Sequence, residues 1–140
     1  MSTIVTRSGK GSPLTHVEVD ANFTNLSTDK AGYITGDGGT VTQATSKATA
    51  VTLNKKCGQI TLNAASLAAA TTVTFTLTNS TIAATDLLVL NHVSGGTAGA
   101  YLLNAQAAAG SASINVRNVT AGALSEAIVI GFAVIKAVTA

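Results

Sequence analysis

Residues 72–78 read Thr-Val-Thr-Phe-Thr-Leu-Thr, a strict alternation of threonine with larger apolar side chains. This alternation has the period of two with which a β-strand buries one face and leaves the other exposed or facing a subunit. β-Branched and aromatic residues are also enriched in strands. The stretch therefore predicts a half-buried strand whose inward residues are Val73, Phe75 and Leu77.

The same period continues on both sides of this stretch. Apolar residues two positions apart recur at Val51 and Leu53, Ile60 and Leu62, and Ile114 and Val116. Turn-forming segments separate them at residues 54–58, 78–81, 94–99, 109–110 and 120–122. The spacing is typical of an all-β domain. We predict a mainly β fold, with a β-sandwich or jelly-roll-like domain of about eight antiparallel strands over residues 33–140.

The last predicted strand is apolar on both faces. One face carries Ile128, Ile130, Phe132 and Val134, and the other carries Val129, Ala133 and Ile135. Such a strand is either central in its sheet or lies between the core and a subunit interface. Charged residues make up only 10% of the chain, which favours burial of surface by self-association. We therefore predict an oligomer interface that includes Ile128, Ile130, Phe132 and Ile135.

Residues 2–11 are polar and contain glycine, which predicts an extended arm that depends on a partner for order. The side chains of Arg7 and Lys10 can pair with acidic groups, while the arm's backbone can add to a sheet edge. We therefore predict attachment to a partner through the arm, with a disordered tail as the alternative. The predicted attachment residues are Arg7, Gly9, Lys10, Gly11 and Pro13.

A short helix is predicted after the arm. Ser12 and Pro13 favour a start near Pro13, and Thr15 and Glu18 have the spacing of a capping box one turn later. An isolated helix of roughly 14 residues is marginally stable in water, so its apolar stripe should dock on a partner. That stripe, also assigned to the oligomer interface, is Val19, Phe23 and Leu26. The helix should end near Leu26, and the N-terminal region should span residues 1–32.

Composition argues against several classes of function. Net charge is +2 and the basic residues are scattered, so no track for nucleic acid is predicted. Aromatic residues are only 4%, which weakens a sugar-binding interpretation. No apolar run has the length of a signal peptide or a membrane span. With the single cysteine Cys57, no internal disulfide can form, and synthesis in a cytoplasm is expected.

Catalytic and metal-binding patterns are not found. His16 and His92 belong to no cluster with metal-ligand spacing, so no metal or cofactor is predicted. Asp86 and His92 should lie far apart, and no nucleophile motif accompanies them. Cys57 follows two lysines that could activate its thiol, although an inert small side chain is the favoured interpretation. We predict that the protein is not an enzyme.

Two parts of the chain resemble proteins of tailed bacteriophages. Residues 5–15, Val-Thr-Arg-Ser-Gly-Lys-Gly-Ser-Pro-Leu-Thr, with 18–23, Glu-Val-Asp-Ala-Asn-Phe, and Asn25-Leu26, resemble an N-terminal peptide of phage virion proteins. Residues 39–47, 51–55 and 57–62, with the closing 131–136, are similar to a β domain of phage structural proteins.

The resemblance implies a non-enzymatic virion structural protein on the outer surface of the phage particle. Because no long shaft or receptor-binding region follows, a capsid decoration or head-fibre protein fits better than a tail fibre. Such appendages are commonly homotrimers, so the implied partners are further copies of the chain and the major capsid protein or another virion protein. A tail-fibre or tail-adaptor component and a module that binds host-surface glycan remain alternatives.

Overall fold

The structure is a computed structural model that describes residues 4–28 and 36–137, with side chains described in residues 4–25 and 36–137. Two helices precede eight strands in this part of the chain. The helices are α1 (Arg7–Lys10) and α2 (His16–Thr28). The strands are β1 (Thr40–Thr42), β2 (Val51–Thr52), β3 (Cys57–Thr61), β4 (Thr72–Thr78), β5 (Leu87–Ser94), β6 (Tyr101–Ala108), β7 (Ser111–Asn118) and β8 (Val129–Ile135). The predicted mainly β fold is confirmed, while the predicted boundary at residues 32 and 33 lies outside the described residues.

The strands form two four-stranded sheets that pack as a sandwich. The first sheet has the order β1-β3-β8-β5, and the second has the order β2-β4-β7-β6. Two pairs, β1 with β3 and β2 with β4, are parallel, so the prediction of antiparallel strands throughout is wrong at these pairs. The reason is that the chain alternates between the sheets over its first four strands, and each alternate strand therefore returns in the same direction.

The core lies between the sheets and contains the residues that the alternation placed inward. Phe75 and Leu77 of β4 are buried against Ile114 and Val116 of the neighbouring β7. Each such side chain contributes roughly 1.5–3 kcal/mol to the free energy of unfolding by leaving water. On β8 the buried residues are Ile130, Phe132 and Val134, and Ile128 immediately before the strand is buried as well. Since β8 lies between β3 and β5, the central position accounts for its apolar residues.

A buried asparagine closes the end of β7. Asn118 is 0% exposed. Its amide nitrogen donates to the carbonyl oxygens of Leu67 (3.1 Å), Ala68 (3.2 Å) and Gly122 (2.7 Å). Its side-chain oxygen accepts from the backbone N–H (2.9 Å) and the hydroxyl (2.7 Å) of Thr120. One side chain thus connects the backbone of two loops, adding a second donor to carbonyl oxygens that also accept from Leu124, Thr71 and Thr120.

Asn79 has the same role at the end of β4. It is fully buried, and its amide nitrogen donates to the Lys55 carbonyl oxygen over 2.7 Å. Its side-chain oxygen accepts from the N–H (3.0 Å) and the hydroxyl (2.8 Å) of Thr81. Both asparagines therefore belong to Asn-x-Thr segments in which the threonine two residues later completes an Asx turn.

A buried lysine joins the loop after β1 to the loop before β8. The Lys47 ammonium donates to the carbonyl oxygens of Asn63 (2.5 Å) and Glu126 (2.7 Å). Burial lowers the pKa of Lys47, and the negative charge of Glu126 partly opposes that shift. Two carbonyl acceptors compensate the loss of water around the ammonium group. Lys47 therefore connects the loop after β1 to the segments around Asn63 and Glu126.

Candidate attachment and assembly surfaces

Residues 7–10 form a single helical turn and are not extended. The Thr6 hydroxyl caps this turn by accepting from the Gly9 N–H over 3.1 Å. Gly11 closes it with φ of +73°, and its N–H donates to the Arg7 carbonyl oxygen. Glycine adopts this left-handed conformation without the steric cost of a Cβ. The prediction of an extended arm is therefore wrong over α1.

The second helix begins at His16, three residues after the predicted start at Pro13. The reason is the capping box: the Thr15 N–H donates to Glu18 Oε2 over 2.8 Å, and the Glu18 N–H donates to Thr15 Oγ1 over 3.3 Å. These reciprocal bonds satisfy two backbone donors that a helix start leaves unpaired. The structure continues α2 to Thr28, two residues beyond the predicted end at Leu26.

Contacts across this region fold residues 4–11 back onto α2. The Asn22 side chain accepts from the Val5 N–H (2.9 Å) and donates to the Val5 carbonyl oxygen (2.8 Å), as a neighbouring strand would. The Lys10 ammonium lies 2.5 Å from Glu18 Oε2. We call residues 4–28 the N-terminal unit. Within the described residues, neither of its helices contacts a strand.

The predicted attachment residues have different roles in the N-terminal unit. Gly9 donates its N–H to the N-cap Thr6, Gly11 is the C-cap of α1, and Lys10 contacts Glu18 and the Pro13 carbonyl oxygen. Arg7 is exposed, and its guanidinium forms no ion pair with any described residue. Arg7 is therefore the predicted attachment residue whose charge stays available to a partner.

Glu18 links the charge pair to the capping box, and its pKa reflects both. The hydrogen bond from Lys10 and then the N–H of Thr15 lower its pKa from 4.5 to about 2. A carboxylate with a lowered pKa contributes stability that is fully present above pH 4.5 and is lost as pH falls through about 2. The fold-back of residues 4–11 should therefore persist at pH 4.

We predict that an NMR titration of the Glu18 carboxyl carbon will give a midpoint far below 4.5, and that the Val5 amide signal will shift in the same range. Lys10→Met should move the Glu18 midpoint upward, because it removes the largest cause of the shift. Asp20→Asn, on the same helix but outside the capping box, is the matched control. A Glu18 midpoint near 4.5 in the unmodified protein would contradict this geometry.

The predicted oligomer interface requires a correction on β8. Ile128, Ile130 and Phe132 are buried in the chain's own core and cannot also contact another subunit. Only Ile135 among the predicted β8 residues faces outward, with 50% of its surface exposed. The alternation was predicted correctly, but an apolar strand with two apolar faces does not reveal which face meets the opposite sheet.

The predicted apolar stripe of α2, Val19, Phe23 and Leu26, is partly exposed to solvent. Phe23 is exposed and Val19 is half-buried, whereas the side chain of Leu26 lies outside the described residues. Val17, which was not assigned to the stripe, is also exposed. The apolar side chains of α2 thus remain available for docking.

The outward face of the first sheet is apolar over β3, β8 and β5, and these three strands place no charged side chain on it. Sequence reasoning missed its β5 part, although the alternation from Leu87 to Val93 carries the signal. We call this surface the apolar sheet face. Its residues are Cys57, Gln59, Thr61, Leu87, Val89, Asn91, Val93, Val129, Gly131, Ala133 and Ile135.

The outward face of the second sheet is polar. Thr74, Asn115 and Asn104 lie side by side on β4, β7 and β6. The Thr74 hydroxyl donates to Asn115 Oδ1 over 2.5 Å, and Asn115 Nδ2 donates to Asn104 Oδ1 over 2.7 Å. We call this surface the polar sheet face. Its residues are Thr72, Thr74, Thr76, Thr78, Leu102, Asn104, Gln106, Ala108, Ser111, Ser113, Asn115 and Arg117.

A cleft of about 380 Å³ lies where the edge strands β5 and β6 approach each other. It contains His92 and Tyr101, whose rings meet edge to face at 5.9 Å. The Tyr101 hydroxyl donates to Glu126 Oε2 over 2.8 Å, and His92 Nε2 lies 2.6 Å from the Gly95 carbonyl oxygen. Burial and then Glu126 raise the pKa of Tyr101. His92 Nε2 and the Tyr101 hydroxyl already have hydrogen-bond partners. We therefore assign this cluster to stabilising the loop between β5 and β6.

The other residues considered for chemistry lie apart. Asp86 pairs with Lys136 over 2.5 Å, and His92 contacts Tyr101 instead of Asp86. Cys57 is a free, half-buried thiol on the apolar sheet face. Residues 4–28 and 36–137 contain no group of three or more side chains able to hold a metal ion.

Comparison with protein-family models, with curated proteins and with solved structures found no match for the chain. In the part of the chain that the structure describes, neither helix combines the length and apolar character needed to cross a membrane.

Proposed function

We propose that the protein is a non-enzymatic structural protein of a tailed-phage virion, anchored to the particle through its N-terminal unit. Within this class, a capsid decoration or head-fibre protein is preferred. The observation that carries the proposal is the phage-like peptide in residues 5–26, whose two helices contact no described strand and which presents Arg7 to solvent. The preferred location is the outer surface of the particle.

The chemistry of the N-terminal unit supports attachment to a partner protein. An exposed guanidinium forms strong, bidentate contacts with carboxylates. Exposed Phe23 supplies the large apolar area that anchors many interfaces. A partner with an acidic group beside an apolar groove would match both features, and the major capsid protein or another virion protein is the proposed source of that surface.

The β-sandwich supports a structural role more than a catalytic one. The polar clusters described above have their hydrogen bonds satisfied by loop backbone, which makes them elements of stability. The two sheet faces are broad and carry few charges, as expected of a domain that assembles with copies of itself. A homotrimer is the proposed assembly.

A tail-fibre or tail-adaptor component is the nearest alternative, and the N-terminal unit fits it equally well. A glycan-binding module is favoured by one specific observation, the row of hydroxyl and amide groups from Thr74 to Asn104 on the polar sheet face. Such groups can hydrogen-bond sugar hydroxyls. Retention of the full chain by host-surface glycans, lost in Asn104→Ala, would favour this alternative.

The experiment that tests the proposal is co-sedimentation of the purified chain with tail-less capsids and, separately, with isolated tails. We expect binding to capsids. Arg7→Glu should weaken that binding at least about tenfold because it reverses the exposed charge of Arg7, which forms no ion pair with any described residue. Arg117→Glu, which reverses an exposed arginine on the polar sheet face, is the matched control. Binding to tails alone would favour the tail alternative, and binding to neither would reject the proposal.

A further inference from the structure

We infer that the apolar sheet face is the surface through which copies of this chain bind one another. The inference rests on the self-association in the proposed function and on that part alone. Because a face that meets its own copy about a two-fold axis joins two chains, it replaces the homotrimer with a dimer. The sequence pattern predicted an interface that includes Ile128, Ile130 and Phe132, which are buried in the core. The inference places it on the outward face of β8 instead. The proposed partner is a second copy of the chain, bound through its own apolar sheet face.

The distribution of exposed apolar side chains supports this surface. Leu87, Val89, Val93 and Ile135 are each about half exposed or more, and all four lie on the apolar sheet face. The polar sheet face has only Leu102 as a comparable side chain. Contiguous apolar patches on monomeric proteins are rarely large and often mark interaction sites.

The absence of charge on this face is compatible with a second copy as the partner. When identical surfaces meet, any charged residue near the axis lies close to its own equivalent, and like charges in a desolvated contact cost several kcal/mol. The chain carries a net charge of +2, yet β3, β8 and β5 place no ionic group on this face. A face of this composition can meet itself without repulsion.

The face also has a groove. Gly131 lies on the floor of this groove of about 360 Å³ between Gln59 and Asn91, whereas Leu87 and Ile135 form a bulky pair at one end. A two-fold axis through Ala133, perpendicular to β8, would set Ile135 of one copy opposite Gly131 of the other, because both lie two positions from Ala133. Val93 Cγ2 lies 2.8 Å from the position that a Cβ of Gly131 would occupy, so Val93 must move aside for Ile135 to enter.

The adjoining edge of the sandwich lacks the usual protection against association. β5 has eight residues with neither a charge nor a proline, and its only irregularity is a register shift between His92 and Ser94. The opposite edges are the short strands β1 and β2, of three and two residues. Exposed edges are commonly shortened or charged in proteins that remain monomeric.

The area of the face corresponds to a small contact. Its three strands have five, seven and eight residues. At about 3.3 Å per residue and about 4.8 Å between strands they span roughly 320 Å². A standard stable interface buries about 800 Å² on each partner, so the self-association expected of this face is weaker than that of a standard interface.

The test is sedimentation velocity of the full chain over a range of concentrations. We expect the unmodified protein to form oligomers, and Leu87→Glu/Val89→Glu to weaken self-association about a hundredfold or more, because each copy would bury unpaired carboxylates. Leu102→Glu is the matched control, since Leu102 (57% exposed) resembles Leu87 (61% exposed) but lies on the polar sheet face. The control should leave the oligomer unchanged.

Asn91→Lys provides a second probe that keeps the exposed apolar residues and places a charge beside the groove. It should also dissociate the oligomer, and circular dichroism should report a folded chain in each variant. A monomeric unmodified protein, or oligomers unchanged by both probes, would overturn the inference. Sedimentation velocity uses the purified chain without capsids, so it tests this interface separately from attachment. If the chain were monomeric but still bound capsids, the interface would be rejected and the proposed attachment would stand.

Discussion

Asn118→Ala is expected to lower the free energy of unfolding by about 1–3 kcal/mol, a sizeable part of the roughly 5–15 kcal/mol available to a typical domain. The substitution removes the donor shared by the carbonyl oxygens of Leu67, Ala68 and Gly122. It also removes the acceptor for Thr120. The three carbonyl oxygens each keep a second donor, from the Leu124 N–H, the Thr71 N–H and the Thr120 hydroxyl. The main loss is therefore the acceptor of the Thr120 N–H, and a buried polar group left without a partner costs about 1–3 kcal/mol.

Urea unfolding followed by circular dichroism will measure this loss. Asn115→Ala is the matched control, because Asn115 lies on the same strand but on the polar sheet face, where water can replace its hydrogen bonds. The control should lose less than about 1 kcal/mol. Equal losses in the two variants would mean that Asn118 does not hold the loops as described.

Ile130→Ala is expected to lower the free energy of unfolding by about 3–4 kcal/mol, and the loss should not depend on protein concentration. Ile130 is 0% exposed and packs between the sheets, so truncation leaves a cavity in the core of each chain. The sequence-based interface predicts a different outcome for the same variant. In that case, dissociation of subunits would be the main effect, and the thermal midpoint would vary with concentration.

Ile135→Ala is the matched control on the same strand. Ile135 faces outward and is half exposed, so its truncation should cost the isolated chain less than about 1.5 kcal/mol and should weaken self-association instead. Thermal melts at several concentrations, combined with sedimentation velocity, separate the two effects. If Ile130→Ala dissociated the protein without lowering the stability of the monomer, the assignment of Ile130 to the core would be wrong.

The positions of β4, β7 and β8 could be predicted from sequence because burial of one face imposes a period of two, whereas β5 and β6, of eight residues each, were missed. Residues 72–78 and the alternation through Phe132 carry that period without interruption. The direction of β1 and β2 could not be predicted in this way. Strands of two or three residues have too little periodicity, and their direction depends on which sheet the chain enters.

The surfaces were less predictable than the strands, for two physical reasons. The fold-back of the N-terminal unit depends on Asn22 contacting the backbone of Val5, a contact across 17 positions that no periodic pattern encodes. The inward face of β8 depends on where the second sheet lies. The buried roles of Asn79 and Asn118 had a local signal, a threonine two residues after an asparagine at a strand end.

The most direct test of the proposed function is quantitative co-sedimentation of the full chain and of residues 12–140 with tail-less capsids. The shorter chain lacks α1, Val5 and Lys10, whereas all eight strands remain. We predict that the full chain saturates the capsids, and that residues 12–140 remain in the supernatant while folded by circular dichroism. Full occupancy of the capsids by residues 12–140 would contradict attachment through the N-terminal unit.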